Sequence, residues 1–272
     1  MPRLTDPAAL SRNRARARRI GPVDLLHRIT ADEIKDRLAE VNRTFRDIAI
    51  VSPAADFWAA EFPGAQLQPD TSELALAPGS RDLVIHAMAL HWAEDPVGQI
   101  VQCARALRPD GLFIAACPGG RSLHELRDVL TRAEAEICGG LSPRVLPMAE
   151  IRDLGGLAAR AGLAMPVADQ VSLRLSYRDL GHLAQDLRAM GEGNALEGRL
   201  RRPTRPAVMR RAAELYVRDH PDPDRPGRIR ASLDLLFLTG WAPAPGQPRP
   251  LRPGSARMSL SQALSGAGKA PE

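Results

Sequence analysis

DLVIHAMALHW, residues 82–92, decides the fold of this chain together with the segment that follows it. An acid opens an almost wholly apolar run that is too short to span a membrane and is typical of a buried parallel strand. Asp95 and Pro96 then supply an N-cap and a first-turn proline for an amphipathic helix. After a Pro-Asp-Gly turn, a second apolar run covers residues 112–117. The order strand, helix, parallel strand predicts half of a doubly wound α/β sheet.

The rest of the chain alternates predicted helices and strands around this unit. Two capping-box patterns, Thr30 with Glu33 and Ser122 with Glu125, set two of the helix starts. The last strand is expected to be antiparallel and to lie at the sheet edge. Helices are predicted over residues 31–43, 54–61, 122–137, 148–161, 180–190 and 205–217, and further strands over residues 47–52, 66–68, 171–177 and 231–241.

These elements suggest three parts along the 272 residues. Residues 1–45 form an arginine-rich arm and a helix, and residues 46–241 form the α/β domain. From residue 242 onward proline, glycine, serine and arginine dominate, which predicts a loosely attached tail.

Arginine carries the basic character of the chain, because Lys35 and Lys269 are the only lysines and the formal net charge is +5. The densest cluster is RNRARARR, residues 12–19, which is typical of a solvated helix face or arm. Contact with an anionic partner or a peripheral membrane surface is the alternative, and nucleic-acid binding is not expected. Neither a secretory signal nor a membrane-spanning segment is found, so we predict a cytoplasmic protein, with an organellar transit peptide as the alternative.

The cysteines and histidines do not suggest a metal site. Cys103, Cys117 and Cys138 are odd in number and widely spaced in apolar surroundings, which predicts reduced core thiols. We therefore expect no bound metal.

A wider set of motifs resembles a known family. The order DLV…LHW…L-x-PDG-x-F resembles the fourth and fifth strands of class I S-adenosylmethionine-dependent methyltransferases. Further motifs look like the complex I assembly factor of mitochondria and alphaproteobacteria, a methyltransferase-fold family associated with arginine hydroxylation of a quinone-site subunit. These motifs are GGRSLHELR (119–127), GGLSPR (139–144), IRDLGGL (151–157), DLRAMGEGNAL (186–196), TGW (239–241) and RPGSA (252–256).

The resemblance covers roughly residues 80–260 and implies a fold and a partner. The fold would be a Rossmann-like class I methyltransferase fold, with a doubly wound, mostly parallel sheet, an antiparallel edge strand and a shortened N-terminal part. The partner would be a protein, with a subunit of respiratory complex I as the candidate.

The resemblance also implies an S-adenosylmethionine site at the carboxyl ends of the first strands, where a glycine-rich turn lets the backbone approach the cofactor. Alignment of the strand puts Ile50 at the acid of this turn and Ser52, Ala54 and Asp56 at its three glycines. Side chains there are expected to crowd the cofactor. Asp70 falls at the acid after the third strand, but too few residues precede it for a complete second strand and its helix. We therefore expect a degenerate cofactor site.

Three residues are the candidates for cofactor binding: Ser52, Asp70 and His86. Together with His91 they would bound the pocket. The alternatives are a surface turn aspartate at Asp70 and a core histidine at His86, which lies inside the apolar run.

Five polar or aromatic residues are the candidates for catalysis. His91 and Trp92 follow the fourth family strand, where they could meet a substrate or simply pack at a strand end. In DLRAMGEGN a helix C-cap explains Gly191 but not the residues after it, so this loop and GGLSPR are candidate binding loops. Its polar candidates are Arg188, Glu192 and Asn194.

Three functions remain open. The leading hypothesis is a methyltransferase-fold protein that acts on or binds a protein partner in respiratory complex I assembly. A methyltransferase of a small molecule or carrier protein would explain DLVIHAMALHW but not DLRAMGEGN or RPGSA. A non-enzymatic scaffold is the third. An enzyme should present an open cleft beside Ser52 and Asp70, whereas a scaffold should fill it with side chains such as Phe57 or Trp58.

Overall fold

The computed structural model of the chain describes residues 3–248. These residues form one six-stranded sheet with helices on both faces. The strands are β1 (Ile48–Val51), β2 (Gln66–Gln68), β3 (Arg81–Ala87), β4 (Leu107–Gly119), β5 (Ala164–Tyr177) and β6 (Ile229–Trp241). The helices are α1 (Pro7–Ile20), α2 (Leu25–Glu40), α3 (Ala55–Glu61), α4 (Pro96–Ala106), α5 (His124–Cys138), α6 (Ile151–Arg160), α7 (Leu180–Ala189) and α8 (Pro206–Asp219).

The strand order is β2-β1-β3-β4-β6-β5, with the first four strands parallel and β6 antiparallel to both neighbours. This order confirms the predicted mostly parallel, Rossmann-like sheet. The last strand is antiparallel as expected but lies inside the sheet, and β5 is the edge strand. Burial explains these two positions in the sheet. Residues 235–238 of β6 are apolar and fully buried, as in an inner strand, whereas β5 alternates between half-buried and exposed residues, as in an edge strand.

The decisive eleven-residue run forms a strand and a turn. β3 ends at Ala87, and Leu90–Trp92 forms a 3₁₀ turn. Between them, Met88 has a φ of 55° and redirects the chain. His91 and Trp92 therefore follow the strand at its carboxyl end.

Two apolar layers hold the sheet. On one face, α4 and α6 pack through Ile100 and Leu154 against Val84 and Phe113. On the other, α2 and α3 pack through Ile34 and Trp58, and Phe237 of β6 lies in the same layer. Full burial of a large apolar side chain such as these contributes about 1.5–3 kcal/mol. A third cluster joins α5, α7 and α8 beyond β6.

Both predicted capping boxes are wrong because their side chains bond to tertiary partners. Thr30 lies inside α2, where its hydroxyl is 3.4 Å from Met88 Sδ. Ser122 Oγ donates to Gly119 O, and Glu125 accepts from Ser232 N at 3.1 Å instead of from a cap. The pattern therefore misplaces the starts of α2 and α5.

The thiols divide into two kinds. Cys103 and Cys117 are buried, and burial raises the pKa of each to about 12. Cys138 at the end of α5 is exposed, so the prediction of a core thiol is wrong there. None of the described helices is both long and apolar enough to cross a membrane. The RPGSA motif lies outside the described residues.

Candidate active site

A first cavity of about 670 Å³ opens at the carboxyl edge of the parallel strands. β1, β2 and β3 all end there, which is where open α/β sheets bind ligands. Its lining includes Ser52, Asp70 and Trp92. Phe57 and Trp58 do not fill it: Trp58 is fully buried on the other face of the sheet, and its indole N–H donates to His27 Nδ1 at 3.2 Å. The cleft beside Ser52 and Asp70 is therefore open, and Ser52, at one of the lost glycine positions, lines it.

Asp70 lies on the wall of the first cavity, two residues beyond β2. β2 is the second strand along the chain and pairs directly with β1 at the sheet edge, and no strand forms among residues 69–80. The placement of Asp70 after the third strand is thus wrong. In dinucleotide-binding folds, an acid after the second strand bonds ribose hydroxyls.

A buried histidine supports the linker that carries Asp70. His86 is fully buried and does not line the first cavity, and its Nε2 lies 2.6 Å from Gln99 Oε1. The Gln99 amide then donates to Thr71 O at 3.1 Å. Burial lowers the pKa of His86, although the hydrogen bond to Gln99 opposes this effect. We assign Nε2–H as the donor, so His86 acts as a core support for the cavity wall.

Helix α1 forms the roof of the first cavity. Its N-cap is Asp6, whose carboxylate accepts from Ala9 N at 3.0 Å and pairs with Arg199 at 2.7 Å. These two bonds lower the pKa of Asp6 to about 2. Farther along α1, Arg14 turns inward, where its Nη1 donates to Asp70 Oδ1 at 2.9 Å and its Nη2 lies 2.9 Å from Asp70 Oδ2. Most of the arginine cluster faces solvent as predicted, but Arg14 does not.

The same helix contacts the DLRAMGEGN loop. Asn13 Nδ2 donates to Gly193 O at 2.9 Å. Gly191 has a φ of 81°, and a Cβ there would lie 3.3 Å from Arg14 Cγ. A Cβ at Gly193 would lie 2.9 Å from Asn13 Nδ2. The two glycines therefore permit close packing of α1 on the loop.

A second cavity of about 270 Å³ lies beside the first. All five residues predicted for catalysis line it: His91, Trp92, Arg188, Glu192 and Asn194. The rest of its wall is mainly apolar and comes from α5, α7 and nearby loops, including Leu126, Leu130, Leu180, Leu187, Met148 and Met209. Trp92 is the one lining residue common to both cavities within residues 3–248. Its side chain therefore forms part of the wall between them.

Glu192 is the acidic centre of the second cavity. Its Oε2 accepts from Trp92 Nε1 at 2.7 Å and lies 3.2 Å from His91 Nε2. Burial acts to raise the pKa of Glu192, but His91, Trp92 and the charge of Arg14 outweigh it and leave the pKa below its ordinary value. His91 is 5% exposed, and its Nδ1 has no partner among the described residues.

The two predicted binding loops lie against each other. Asn194 Nδ2 donates to Pro143 O at 2.8 Å, and Asn194 Oδ1 accepts from Leu196 N at 3.0 Å. Both ends of the Asn194 amide are therefore used to join the GGLSPR loop to the DLRAMGEGN loop. This bonding favours a positioning role for Asn194.

A buried ion pair fixes the GGLSPR loop to α5. Glu134 is 4% exposed and binds Arg144 Nη2 at 2.6 Å and Ser142 N at 3.0 Å. The hydrogen bond from Arg144 chiefly lowers the pKa of Glu134. Arg144 also donates to Thr204 Oγ1 at 2.6 Å. This network holds one wall of the second cavity in place.

Three residues of the site were not found from sequence: Arg14, Gln99 and Glu134. Arg14 could have been found, because it is four residues after Leu10 and three before Ala17, and both are buried on the inner face of α1. Gln99 and Glu134 carry no comparable signal, since their partners are distant in sequence. Within residues 3–248, no three His, Cys, Asp or Glu side chains group as a possible metal site.

Residues 31–115 match the family model described as a methyltransferase domain. The mitochondrial arginine-hydroxylase NDUFAF5 of Danio rerio is 34% identical over 213 residues, which are 77% of this chain and 64% of that protein. For the Homo sapiens protein of the same name, the identity is 34% over 74% of this chain and 58% of that protein. The malonyl-[acyl-carrier protein] O-methyltransferase of Laribacter hongkongensis is 34% identical over 64% of this chain and 56% of that protein.

The chain spans less than two thirds of the length of these relatives. Among solved structures, a candidate methyltransferase from Bacillus halodurans superposes with a TM-score of 0.50 at 10% identity, over 79% of this chain and all of that one. At this identity the likeness shows the fold alone. The chain has the class I methyltransferase fold, matches a methyltransferase-domain model over residues 31–115, and is related in sequence to the arginine-hydroxylase NDUFAF5 proteins.

Proposed function

We propose that this protein binds S-adenosylmethionine in the first cavity and acts on a side chain of a protein partner that enters the second. The observation that carries the proposal is the arrangement of two cavities at the carboxyl edge of the sheet, with Trp92 in the wall of both. The partner is a subunit of respiratory complex I during assembly, and the location is the cytoplasm of an alphaproteobacterium. The sequence relationship to the arginine-hydroxylase NDUFAF5 proteins supports this choice of partner.

The first cavity fits the cofactor in size and in chemistry. Its volume of about 670 Å³ lies within the range of small-molecule sites, about 300–1,000 Å³. Asp70 would hold the ribose hydroxyls. The Gln99 amide, through its bond to Thr71 O, fixes the position of the linker that carries Asp70. Bound there, the cofactor supplies an electrophilic methyl group on its sulfonium. Arg14 and other residues of α1 line one side of this cavity.

The second cavity suits a long side chain with a cationic end. Its apolar wall matches a methylene stem, and Glu192 lies in that wall with a carboxylate. An arginine side chain has both parts, and the name of the NDUFAF5 relatives includes arginine as their target. We therefore propose an arginine side chain of the partner as the acceptor.

Calorimetric titration of the purified chain with S-adenosylmethionine and S-adenosylhomocysteine tests the cofactor site. We expect saturable binding that Asp70→Ala weakens strongly, because the ribose loses its acceptor. Asp36→Ala, on the exposed face of α2, is the matched control. Arg14→Gln separates loss of the acid from loss of its ion pair. No binding by the unmodified chain at millimolar ligand would contradict the proposal and favour the non-enzymatic scaffold.

A carrier-protein methyltransferase is the second candidate, and Arg188 is the observation that favours it. Arg188 lines the second cavity and has no carboxylate partner among the described residues, so it could bind an acyl carboxylate. Related malonyl-[acyl-carrier protein] O-methyltransferases support this reading. Incubation with S-adenosylmethionine and a malonyl thioester, followed by mass spectrometry, distinguishes the two functions. Methyl ester formation that Arg188→Gln abolishes would favour the carrier-protein substrate over arginine.

A further inference from the structure

We infer that Glu192, held by His91 and Trp92, is the residue that selects a guanidinium group in the second cavity. The inference rests on the proposed function for the role of this cavity. It goes further by assigning recognition of the acceptor to one carboxylate and two positioning residues.

The charge of the cavity wall supports this role. Glu192 is the sole carboxylate that lines the second cavity within the described part of the chain. Its side chain is 21% exposed, so a ligand can reach it, yet it is held in one orientation by the Trp92 and His91 bonds. The lowered pKa of Glu192 keeps it ionised near neutral pH. A fixed, partly desolvated anion of this kind favours a cation over a neutral group of the same shape.

One hydrogen-bond acceptor of Glu192 remains available on this wall. Both bonds to Glu192 go to Oε2, and Oε1 accepts none from residues 3–248. His91 and Trp92 therefore fix the carboxylate through one oxygen and leave the other without a partner among these residues. Glu192 Oε1 can accept an N–H bond from a planar guanidinium.

No arginine forms an ion pair with Glu192 in the described part of the chain. Arg144 is paired with Glu134, and Arg14 is paired with Asp70 on the side of the first cavity. Arg188 is exposed, so water and salt screen its repulsion of an incoming cation. His27, whose pKa is lowered chiefly by burial, is neutral near pH 7.

The NMR signal of the Trp92 indole N–H reports directly on ligand binding to Glu192. This N–H bonds to Glu192 Oε2, the oxygen that also contacts His91. The chain has three tryptophans, and ¹⁵N labelling gives one indole signal for each, with that of Trp92 assigned from Trp92→Phe. Titration uses N-acetyl-arginine N-methylamide against its neutral isostere, the N-acetyl-citrulline compound. We expect the Trp92 signal to shift with the arginine compound and not with the citrulline compound.

Three variants test whether the charge of Glu192 causes this preference. Glu192→Gln keeps the shape and should lower affinity for the arginine compound about tenfold. Glu192→Asp keeps the charge and should retain part of the preference over citrulline. Glu40→Gln, at the exposed end of α2, should change nothing. Equal binding of both compounds, unchanged affinity in Glu192→Gln, or no binding by the unmodified chain would each overturn the inference.

The outcome can be separated from that of the proposed function. S-adenosylmethionine titration of Glu192→Gln reports on the first cavity alone and also shows that the variant is folded. Cofactor binding without guanidinium preference overturns only the role of Glu192. Guanidinium preference without cofactor binding supports that role and contradicts the enzyme.

Discussion

The two cavities share one edge of the sheet but are held in different ways. The first is roofed by α1, which is tied down by the Arg14–Asp70 pair and a few hydrogen bonds, and its floor is a linker where no strand forms. The second lies among packed helices and is braced by the buried Glu134–Arg144 pair. A cavity covered by a single helix can open without unfolding, whereas one built into a core cluster is preformed.

Breaking the brace of the second cavity should give the largest effect. Glu134→Ala leaves Arg144 with an uncompensated charge and should lower the free energy of unfolding by about 3 kcal/mol. This value is at the low end for a buried pair, because Arg144 keeps its bond to Thr204. Urea unfolding at pH 7 measures it. Glu136 lies on the same helix as Glu134, and Glu136→Ala, which removes an exposed pair with Arg211 of α8, is the control and should have little effect. Equal losses in the two variants would contradict the assignment of a buried brace.

Releasing the roof of the first cavity should have a smaller effect. Arg14→Gln breaks the pair with Asp70 and should lower the free energy of unfolding by about 1 kcal/mol. Its main consequence should be local, with faster trypsin cleavage within residues 12–19, where arginines provide the cleavage sites. Arg12→Gln removes one exposed arginine without breaking this tie, so it should not accelerate cleavage. A cleavage rate for Arg14→Gln no higher than that of Arg12→Gln would show that α1 is held by other contacts.

The difference between these regions also explains what could be predicted from sequence. β3, α4 and β4 follow each other closely, and their apolar periods and the Asp95 cap specify them locally. The short strand predicted over Gln66 to Gln68 is present as β2 with these bounds. The position of β6 inside the sheet was not, because a buried strand pairs with neighbours that sequence alone does not identify.

The site shows the same division between local and distant information. The five catalytic candidates converge on one cavity, since the end of β3 and the loop after α7 meet at the same edge. At the lost glycine positions Ser52 lines the first cavity, whereas Ala54 and Asp56 do not, so the sequence pattern alone does not tell which of these side chains face the cavity. Lining of the first cavity by α1 was also missed, although the spacing of Arg14 from Leu10 and Ala17 indicates that Arg14 lies on the inner face of the helix.

Acidification should have the smallest effect on the free energy of unfolding. Its origin should be His86, which supports the wall of the first cavity. Burial lowers the pKa of His86 below 6.5, so the unfolded chain takes up a proton that the folded chain does not. The stability that this neutral histidine confers is complete above pH 6.5 and declines as the pH falls below it. The urea midpoint should therefore decrease gradually from pH 7 to pH 5. His86→Phe should be less stable at pH 7 but less sensitive to pH, and an equal pH slope in both proteins would contradict this origin.

Trp92 lies in the wall of both cavities and is bonded to Glu192, so occupancy of either cavity changes the surroundings of one side chain. If a ligand in the first cavity alters the affinity of the second for its ligand, thermodynamic linkage requires an equal effect in the reverse direction. A cofactor that favours one orientation of the indole would then bind more tightly when the partner is present. The protein would thereby hold its cofactor most firmly only when a target is in place.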